Sequence, residues 1–333
     1  MKIELDTIES RIDKALSSRP EVPRPHFGIS GIGELCERKA WLKFRWAVLE
    51  QFEGRILRLF QRGHREEESI VRYLRMAGLE IKNTGWDQKK VDLGSHVMGS
   101  IDGIIVSGVP EAPEKPHILE IKTHSKKSFD DLERHGVEKS KPDHWAQMQG
   151  YMIGSGIDRA LYVSVCKDDD RLYTERVRLD RTKAEALVIR ARRIAASDRM
   201  PVPQSTDPTF YSCKWCPAHS FCFESHVTKE VNCRTCAHST AEANGTWSCA
   251  IHGANIPVEF QREGCRSHVA HPDLVPWKEL EGDGRTAKWE IDGKEVLNGE
   301  GGRDSRELLG PGALFGKVFG GDVEVVEWPV KKV

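Results

Sequence analysis

The apolar positions of this chain change period several times, and each change predicts an element. Residues 1–26 carry a short amphipathic helical pattern and then the proline-rich connection Arg19-Pro20-Glu21-Val22-Pro23-Arg24-Pro25. From Phe52 to Ala77, the positions Ile56, Phe60, Gly63, Ile70, Val71, Leu74 and Ala77 follow one helical stripe that Gly78 can end. Glu67 falls in the middle of that stripe, with Glu66 and Glu68 about 100° to either side, so Glu67 is the one of the three that points inward. His64, one turn earlier, flanks the same face. Residues 97–106 form an apolar run that reads as one buried strand containing Asp102. In 118–122, Leu119 and Ile121 alternate with Glu120 and Lys122, so both charged side chains leave one face, about 7 Å apart.

Further along, Lys141-Pro142-Asp143 predicts a helix start with Asp143 as N-cap, and Gln147 and Tyr151 then share a helical face. Residues 160–165 and 172–177 read as strands joined by a turn at Asp168-Asp169-Asp170. Thr182 and Glu185 predict a capping box for a helix bearing Arg190, Arg192 and Arg193. Near the far end, 287–291 and 294–297 flank Asp292-Gly293, a hairpin signal. No internal repeat is evident.

With 333 residues and 38% hydrophobic content, the chain can build a substantial core and an appended module. A net charge of −1 gives no global attraction to nucleic acid and puts that burden on local patches. One such patch is 176–199, with eight Arg or Lys against three Asp or Glu, and it makes Arg190, Arg192 and Arg193 candidates for DNA contact. The start has no basic segment followed by an apolar one, and no apolar run approaches 18 residues. The expectation is an intracellular, cytoplasmic protein without membrane contact.

The candidate chemistry starts from the cost of burying Asp102, which a bound cation removes. Asp102 and Glu120 offer hard oxygen ligands for Mg²⁺ or Mn²⁺, and Lys122 can orient an attacking water or stabilise charge developing on a phosphate. Gly99-Ser100-Ile101-Asp102-Gly103, Leu119-Glu120-Ile121-Lys122-Thr123 and Gln147-Met148-Gln149-Gly150-Tyr151, in that order, resemble the PD-(D/E)xK nuclease superfamily. The Gln-x-x-x-Tyr spacing is similar to that of its RecB-like exonuclease branch. Ile101 stands where the family name has proline.

The resemblance implies an α/β fold: a restriction-endonuclease-like core with a mixed central sheet flanked by helices. It implies that Asp102 and Glu120 bind metal, that Lys122 assists the nucleophile, and that Gln147 and Tyr151 contact DNA or position the site. Glu67 becomes a third metal-site residue, because this branch carries a Gly-x-x-x-Glu or a similarly placed histidine on its first core helix. The implied activity is a Mg²⁺-dependent DNA exonuclease of recombination or repair, similar to lambda- or YqaJ-type phage enzymes. Its partner would be a single-strand annealing or single-strand-binding protein, or a helicase, and the host cytoplasm would be its location if viral. An endonuclease of the same fold and a non-catalytic, metal-stabilised DNA-binding module stay open.

The cysteines supply a second signal. Six of the nine fall between Cys213 and Cys249 and include two Cys-x-x-Cys pairs, which in an intracellular chain points to metal. Cys213, Cys216 and Cys222 lack a fourth thiolate, which Cys36 can supply. Cys36 lies at an expected helix start with Ser30 as N-cap. One cysteine before the core and three after it is similar to the iron-sulfur staple of AddB-type and CRISPR-adaptation nucleases, which implies a 4Fe-4S cluster. Zinc, with Cys36 or His219 as fourth ligand, is the alternative. Cys233, Cys236, Cys249 and Cys265 read as a structural zinc site, with His238, His252 and His268 as possible substitutes, and Cys166 reads as a buried strand residue.

The expected organisation is 1–26 as helix and linker, 27–228 as nuclease core with its iron-sulfur staple, 229–270 as a small cysteine-rich zinc module, and 271–333 as a β-rich tail. Trp277, Trp289 and Trp328 are candidates for packing that tail on the core or for extending a DNA or partner surface.

Overall fold

The structure is a computed structural model that describes residues 6–18, 22–282 and 284–309. Its first helix, α1 (Ile8–Ser17), starts at a capping box between Thr7 and Ser10 and buries none of its residues. After β1 (Phe27–Gly28), the helix start expected at Ser30 is absent. Ser30 lies in a short 3-10 turn, and α2 (Glu37–Phe44) begins only after Cys36. Gly31 and Gly33 intervene, and glycine is a poor helix former. Gly33 also lets the backbone lie against Asp143 and Ala146, where a Cβ would meet atoms at 3.0 Å.

Helix α3 (Gly54–Met76) ends as expected, with Ala77 as cap and Gly78 at φ 92°. Its buried stripe is confined to the C-terminal half, at Ile70 and Val71. Phe60 is exposed and meets Phe52 edge-on at 5.0 Å, and His64 is exposed as well.

The strands that follow are β2 (Glu80–Lys82), β3 (Lys90–Asp92), β4 (Val97–Ser100), β5 (Gly103–Ser107) and β6 (His117–His124). The single strand expected over 97–106 is two strands. β4 belongs to a three-stranded sheet ordered β1-β4-β3, and β5 to a five-stranded sheet whose order begins β2-β5-β6. Ile101 and Asp102 are the hinge between them, which turns Asp102 out of the ladder. Helices α4 (Lys126–Ser140) and α5 (Pro142–Ser155) cross over to β7 (Arg159–Cys166), which pairs parallel with β6, and β8 (Leu172–Arg178) returns antiparallel to complete the five-stranded sheet. The β7–β8 turn follows the expectation, with Asp170 at φ 60°. α4 is broken at Gly136 (φ 73°), where Val137 N donates to Glu175 at 2.7 Å.

Two caps differ from expectation. α5 is capped by Lys141 with Pro142 in its first turn, because proline suits the position whose N–H needs no partner, so Asp143 falls inside the helix. Before α6 (Arg181–Ala196), Asp180 rather than Thr182 takes the cap, accepting from Lys183 N at 3.0 Å.

The described residues fall into two compact units. One comprises α1, His26–Gly33 and Gln51–Ala191; the other comprises Pro23–Pro25, Glu34–Glu50 and the described residues from Arg192 onward. In the first, Leu119 and Ile121 of β6 pack with Ile70, Val71, Ile81, Ile105, Leu161, Val163 and Val165. This is a mixed α/β arrangement of sheets and helices.

The second unit adds α7 (Tyr211–Lys214), the small sheet β9 (Ser239–Ala241), β10 (Trp247–Cys249) and β11 (Ala254–Asn255), and α8 (Val258–Gln261). It continues with the meander β12 (Lys278–Gly282), β13 (Thr286–Ile291) and β14 (Lys294–Gly299), and then α9 (Ser305–Leu309). The β13–β14 turn is the expected hairpin, with Asp292 and Gly293 both at positive φ (51° and 72°). Trp289 is buried against Trp277 at 6.0 Å; Trp328 lies outside the described residues. Arg234, fully buried, ties this unit together across a long sequence distance. It donates to Gln261 and to the carbonyls of Phe44 (2.8 Å) and Pro25 (2.6 Å), with its guanidinium 3.7 Å from the Trp46 ring centre. Contacts therefore group 34–50 with the cysteine-rich region, across the sequence blocks expected for a core and a module.

Candidate active site

Strand β6 is the middle strand of its sheet, and its period of two sends Leu119 and Ile121 to the apolar core and Glu120 and Lys122 to the other face. Glu120 is fully buried. Its Oε1 accepts from Lys122 Nζ, while its Oε2 has no hydrogen-bond partner. Asp102, at the hinge between β4 and β5, is anchored by Ile121 N, which donates to Oδ2 at 2.9 Å. Glu67 of α3 is half-buried, and Gln88 Nε2 donates to its Oε1 at 2.9 Å.

These four residues sense one another electrostatically. Burial pushes the Glu67 carboxyl up to about 7, and Asp102 adds to the effect. Burial pushes Glu120 up to about 8; Lys122 opposes this, and Asp102 and Glu67 reinforce it. For Lys122, burial acts to lower the value, but Glu120, Asp102 and Glu67 together outweigh it and hold the ammonium above its ordinary range. Three carboxyls meet one lysine, and burial together with their mutual repulsion disfavours ionising all of them at once. The donor set and the vacant Oε2 valence of Glu120 fit a hard divalent cation.

Gln147 and Tyr151 lie on α5, both buried, with Gln147 Nε2 3.5 Å from the Tyr151 hydroxyl. Gly99 makes room for that tyrosine: a Cβ there would sit 2.9 Å from its ring. Both side chains lie inside the fold rather than on its surface.

Sequence reasoning missed a polar network on the same strand faces. Tyr162 pairs with Glu120 in register, and its hydroxyl is shared by His124 Nε2 (3.0 Å) and His144 Nδ1 (2.9 Å). Burial holds both imidazoles neutral, pulling His124 down to about 4 and His144 to about 3. The same periodicities point to them, since His124 is two positions from Lys122 on a strand, and His144, Gln147 and Tyr151 stand at i, i+3 and i+7 on a helix. Gln88 carried no comparable signal.

The cysteines of each predicted set lie within electrostatic reach of one another, all inside the second unit. Cys36 acts on Cys213, Cys216 and Cys222, whose thiols are raised by burial first. Arg38 bonds Cys222 and Lys39 acts on Cys216, so two cations border this set. His219 is occupied with Glu224, 3.7 Å away. In the second set, burial pushes Cys233 and Cys236 up to about 12, with Cys249 and Cys265 as neighbours of both. His268 is committed to Ser305 at 2.8 Å and to Asn232 O at 3.2 Å. Cys166 is buried in β7. Among the described residues no group of three or more His, Cys, Asp or Glu side chains is drawn together as a metal cage.

No family model matches the chain, and no curated protein matches it. Similar solved structures include the alkaline exonuclease LHK-Exo from Laribacter hongkongensis, at 18% identity, covering 56% of this chain and 94% of that one with a TM-score of 0.30. LHK-Exo in complex with dAMP is similar at 16% identity, 56% and 91% coverage and a TM-score of 0.38. A phage-related exonuclease from Haemophilus somnus 129PT is similar at 19% identity, 41% and 70% coverage and a TM-score of 0.29. These neighbours are exonucleases. The depth of likeness carries no argument of its own, and the weight falls on the site.

Of the arginines singled out on α6, Arg190 is half-buried and donates to Ile32 O at 2.7 Å, and Arg193 pairs with Glu37 at 2.5 Å. Arg192 is exposed. No helix among the described residues is long and apolar enough to cross a membrane.

Proposed function

We propose that this chain is a divalent-metal-dependent DNA exonuclease of recombination or repair, and that Asp102, Glu120 and Glu67 hold its Mg²⁺ or Mn²⁺. The observation that carries this reading is Glu120: fully buried, one oxygen held by Lys122, the other without a partner, and two further carboxyls in range. An unsatisfied buried carboxylate is costly, and a cation site is the economical reason to keep one. When bound, the ion supplies Lewis acidity and lowers the pKa of water for attack on a phosphodiester.

The protein's own groups do the rest. Ile121 N orients Asp102, and Gln88 orients Glu67. Lys122, whose ammonium the three carboxyls favour, would orient the attacking water or offset charge developing on the phosphate. Gln147 and Tyr151 would position the site from α5, with the Tyr151 ring against Gly99 of β4. Arg190, Arg192 and Arg193 stay the α6 candidates to meet a DNA backbone; Arg192 and Arg193 are exposed, and Arg190 is half-buried against Ile32 O.

For the cysteines we infer a 4Fe-4S cluster on Cys36, Cys213, Cys216 and Cys222, favoured by Arg38 and Lys39, whose charges offset an anionic four-thiolate centre. We infer structural zinc on Cys233, Cys236, Cys249 and Cys265. Thiols of this kind fit a reducing, cytoplasmic setting. A single-strand-binding or annealing protein, or a helicase, would be the partner that presents the DNA.

The test is incubation with Mg²⁺ of end-labelled linear DNA and of covalently closed circles, with Asp102→Ala alongside. Loss of linear DNA alone, abolished by the substitution, is expected. Cutting of closed circles would replace the exonuclease with an endonuclease, and binding without cleavage would remove the catalytic reading. Iron and zinc counts after anaerobic purification test the two cysteine sites.

A further inference from the structure

Trp86 is the most exposed large apolar side chain of the described residues, at 108% relative exposure. It does not sit on a loose segment. Asn83 and Gly85 adopt positive φ (56° and 61°) to form a 3-10 turn over Gly85–Asp87. Asn83 Nδ2 donates to Asp87 Oδ2 at 3.1 Å, Asp87 N donates to Thr84 O at 3.2 Å, and Arg75 Nη2 donates to Ile81 O at 3.0 Å. The turn is braced, and it holds the indole out in water.

The same turn is built into the carboxylate site. Gln88, two residues on, donates to Glu67, and Lys89 O accepts from Ile101 N at 3.0 Å, next to Asp102. Two residues of chain span at most about 7 Å, close to two stacked nucleotides at roughly 3.4 Å each. Lys89 and Lys90 follow, both exposed. An exposed indole, two exposed ammonium groups and the glutamine that bonds Glu67 thus lie on one stretch of five residues, which offers a base, a phosphate backbone and the carboxylate site their partners along one segment.

We propose that Trp86 is a stacking platform for an unpaired nucleobase of the strand that enters the carboxylate site. The proposal rests on the nuclease reading and adds a base-binding subsite to it. Stacking on an aromatic face is sequence-tolerant, so the platform selects for a single-stranded or frayed end rather than for a particular base.

The probe is a short oligothymidylate carrying one 2-aminopurine near its end, titrated into protein with an Asp102→Ala background so that binding is read without cleavage. The 2-aminopurine fluorescence is expected to fall on binding. Adding Trp86→Ala should abolish that quenching and weaken affinity about 10-fold, whereas Trp86→Phe should keep most of both. An abasic site in place of the 2-aminopurine should bind the proteins with and without Trp86 equally. Because the indole packs on nothing, the melting temperature of Trp86→Ala should match the parent, so a folding defect cannot imitate the result. If quenching and affinity are unchanged by Trp86→Ala while otherwise wild-type protein still cuts DNA, the platform alone is overturned. If the wild-type protein neither binds nor cuts DNA, the nuclease reading and the platform fall together.

Discussion

Glu120 in the first unit and Arg234 in the second are both ionisable and both fully buried, yet their surroundings are opposite. Every nitrogen of Arg234 has an acceptor: Nε and Nη2 on Gln261, Nη1 on Phe44 O and Nη2 also on Pro25 O. Glu120 keeps an oxygen that nothing among the described residues satisfies. Burial works against both charges, lowering Arg234 to about 9 and raising Glu120 to about 8. A buried ionisable group whose every nitrogen has an acceptor holds a fold together. One with a valence left open is kept for something that binds.

The largest effect should come from removing the ionisable group at the open valence. Glu120→Gln is expected to lower Mg²⁺-dependent DNA cleavage about 10³-fold, while urea unfolding finds the metal-free variant at least as stable as the parent at pH 8. Mg²⁺ should raise the melting temperature of the parent and not that of the variant. A large loss of stability in Glu120→Gln would mean that the two buried groups are alike, and the comparison would break.

Next in size is the satisfied ion. Arg234→Ala strands the carbonyls of Phe44 and Pro25 and opens a space beside Trp46, so unfolding should cost about 3 kcal/mol less. Cleavage per folded molecule is expected to be unchanged. A fragment holding only 229–270 should not fold, because it lacks both carbonyls, and its circular dichroism and amide exchange would report this.

The two units should differ toward acid. In the first, the raised carboxyls of Glu67 and Glu120 add stability as pH falls toward 4.5 and oppose its buried imidazoles. In the second, no carboxyl raised as far opposes the imidazoles among the described residues. Burial lowers His144 to about 3 in the first unit and His268 and His271 to about 4 in the second. Their folded-state values lie below the unfolded 6.5, so the unfolded chain binds protons first, and stability is lost as pH falls from about 6.5 toward 4. The loss should be on the order of 2 kcal/mol per buried histidine, read from urea midpoints of the second unit across that range, and stability of that unit that stayed flat there would contradict it.

The smallest effect belongs to the surface. Arg192→Ala should weaken DNA binding by about 2- to 5-fold and flatten its salt dependence slightly, and Arg190→Ala should instead lower stability. The reverse pattern, measured by anisotropy at several salt concentrations, would put the DNA contact on the residue that already bonds Ile32 O.

Much of the site could be read from local periodicity. Alternation placed Glu120 and Lys122 on one strand face, the 3.6-residue turn picked Glu67 from three consecutive glutamates, and Asp292-Gly293 marked its hairpin. Where the reading failed, a non-local competitor had decided. The run 97–106 looked like one strand because its side chains are apolar throughout, but β4 and β5 pair with different partners and split at Asp102. Ser30, Asp143 and Thr182 are good capping types, yet glycines, a proline at the first turn and Asp180 took those ends. Phe60 fits the stripe and is exposed, because only the C-terminal half of α3 meets the sheet core.

By itself the sequence determined which residues share a face, since that follows from two fixed backbone periods, and which residue types are available as ligands. Only the tertiary structure decided which of them lack a partner. The open oxygen of Glu120, the bond from Gln88 to Glu67, the shared hydroxyl of Tyr162 and the braced indole of Trp86 each depend on atoms distant in sequence. Hydrogen-bond satisfaction is a property of the whole packed environment, and no period along a chain encodes it.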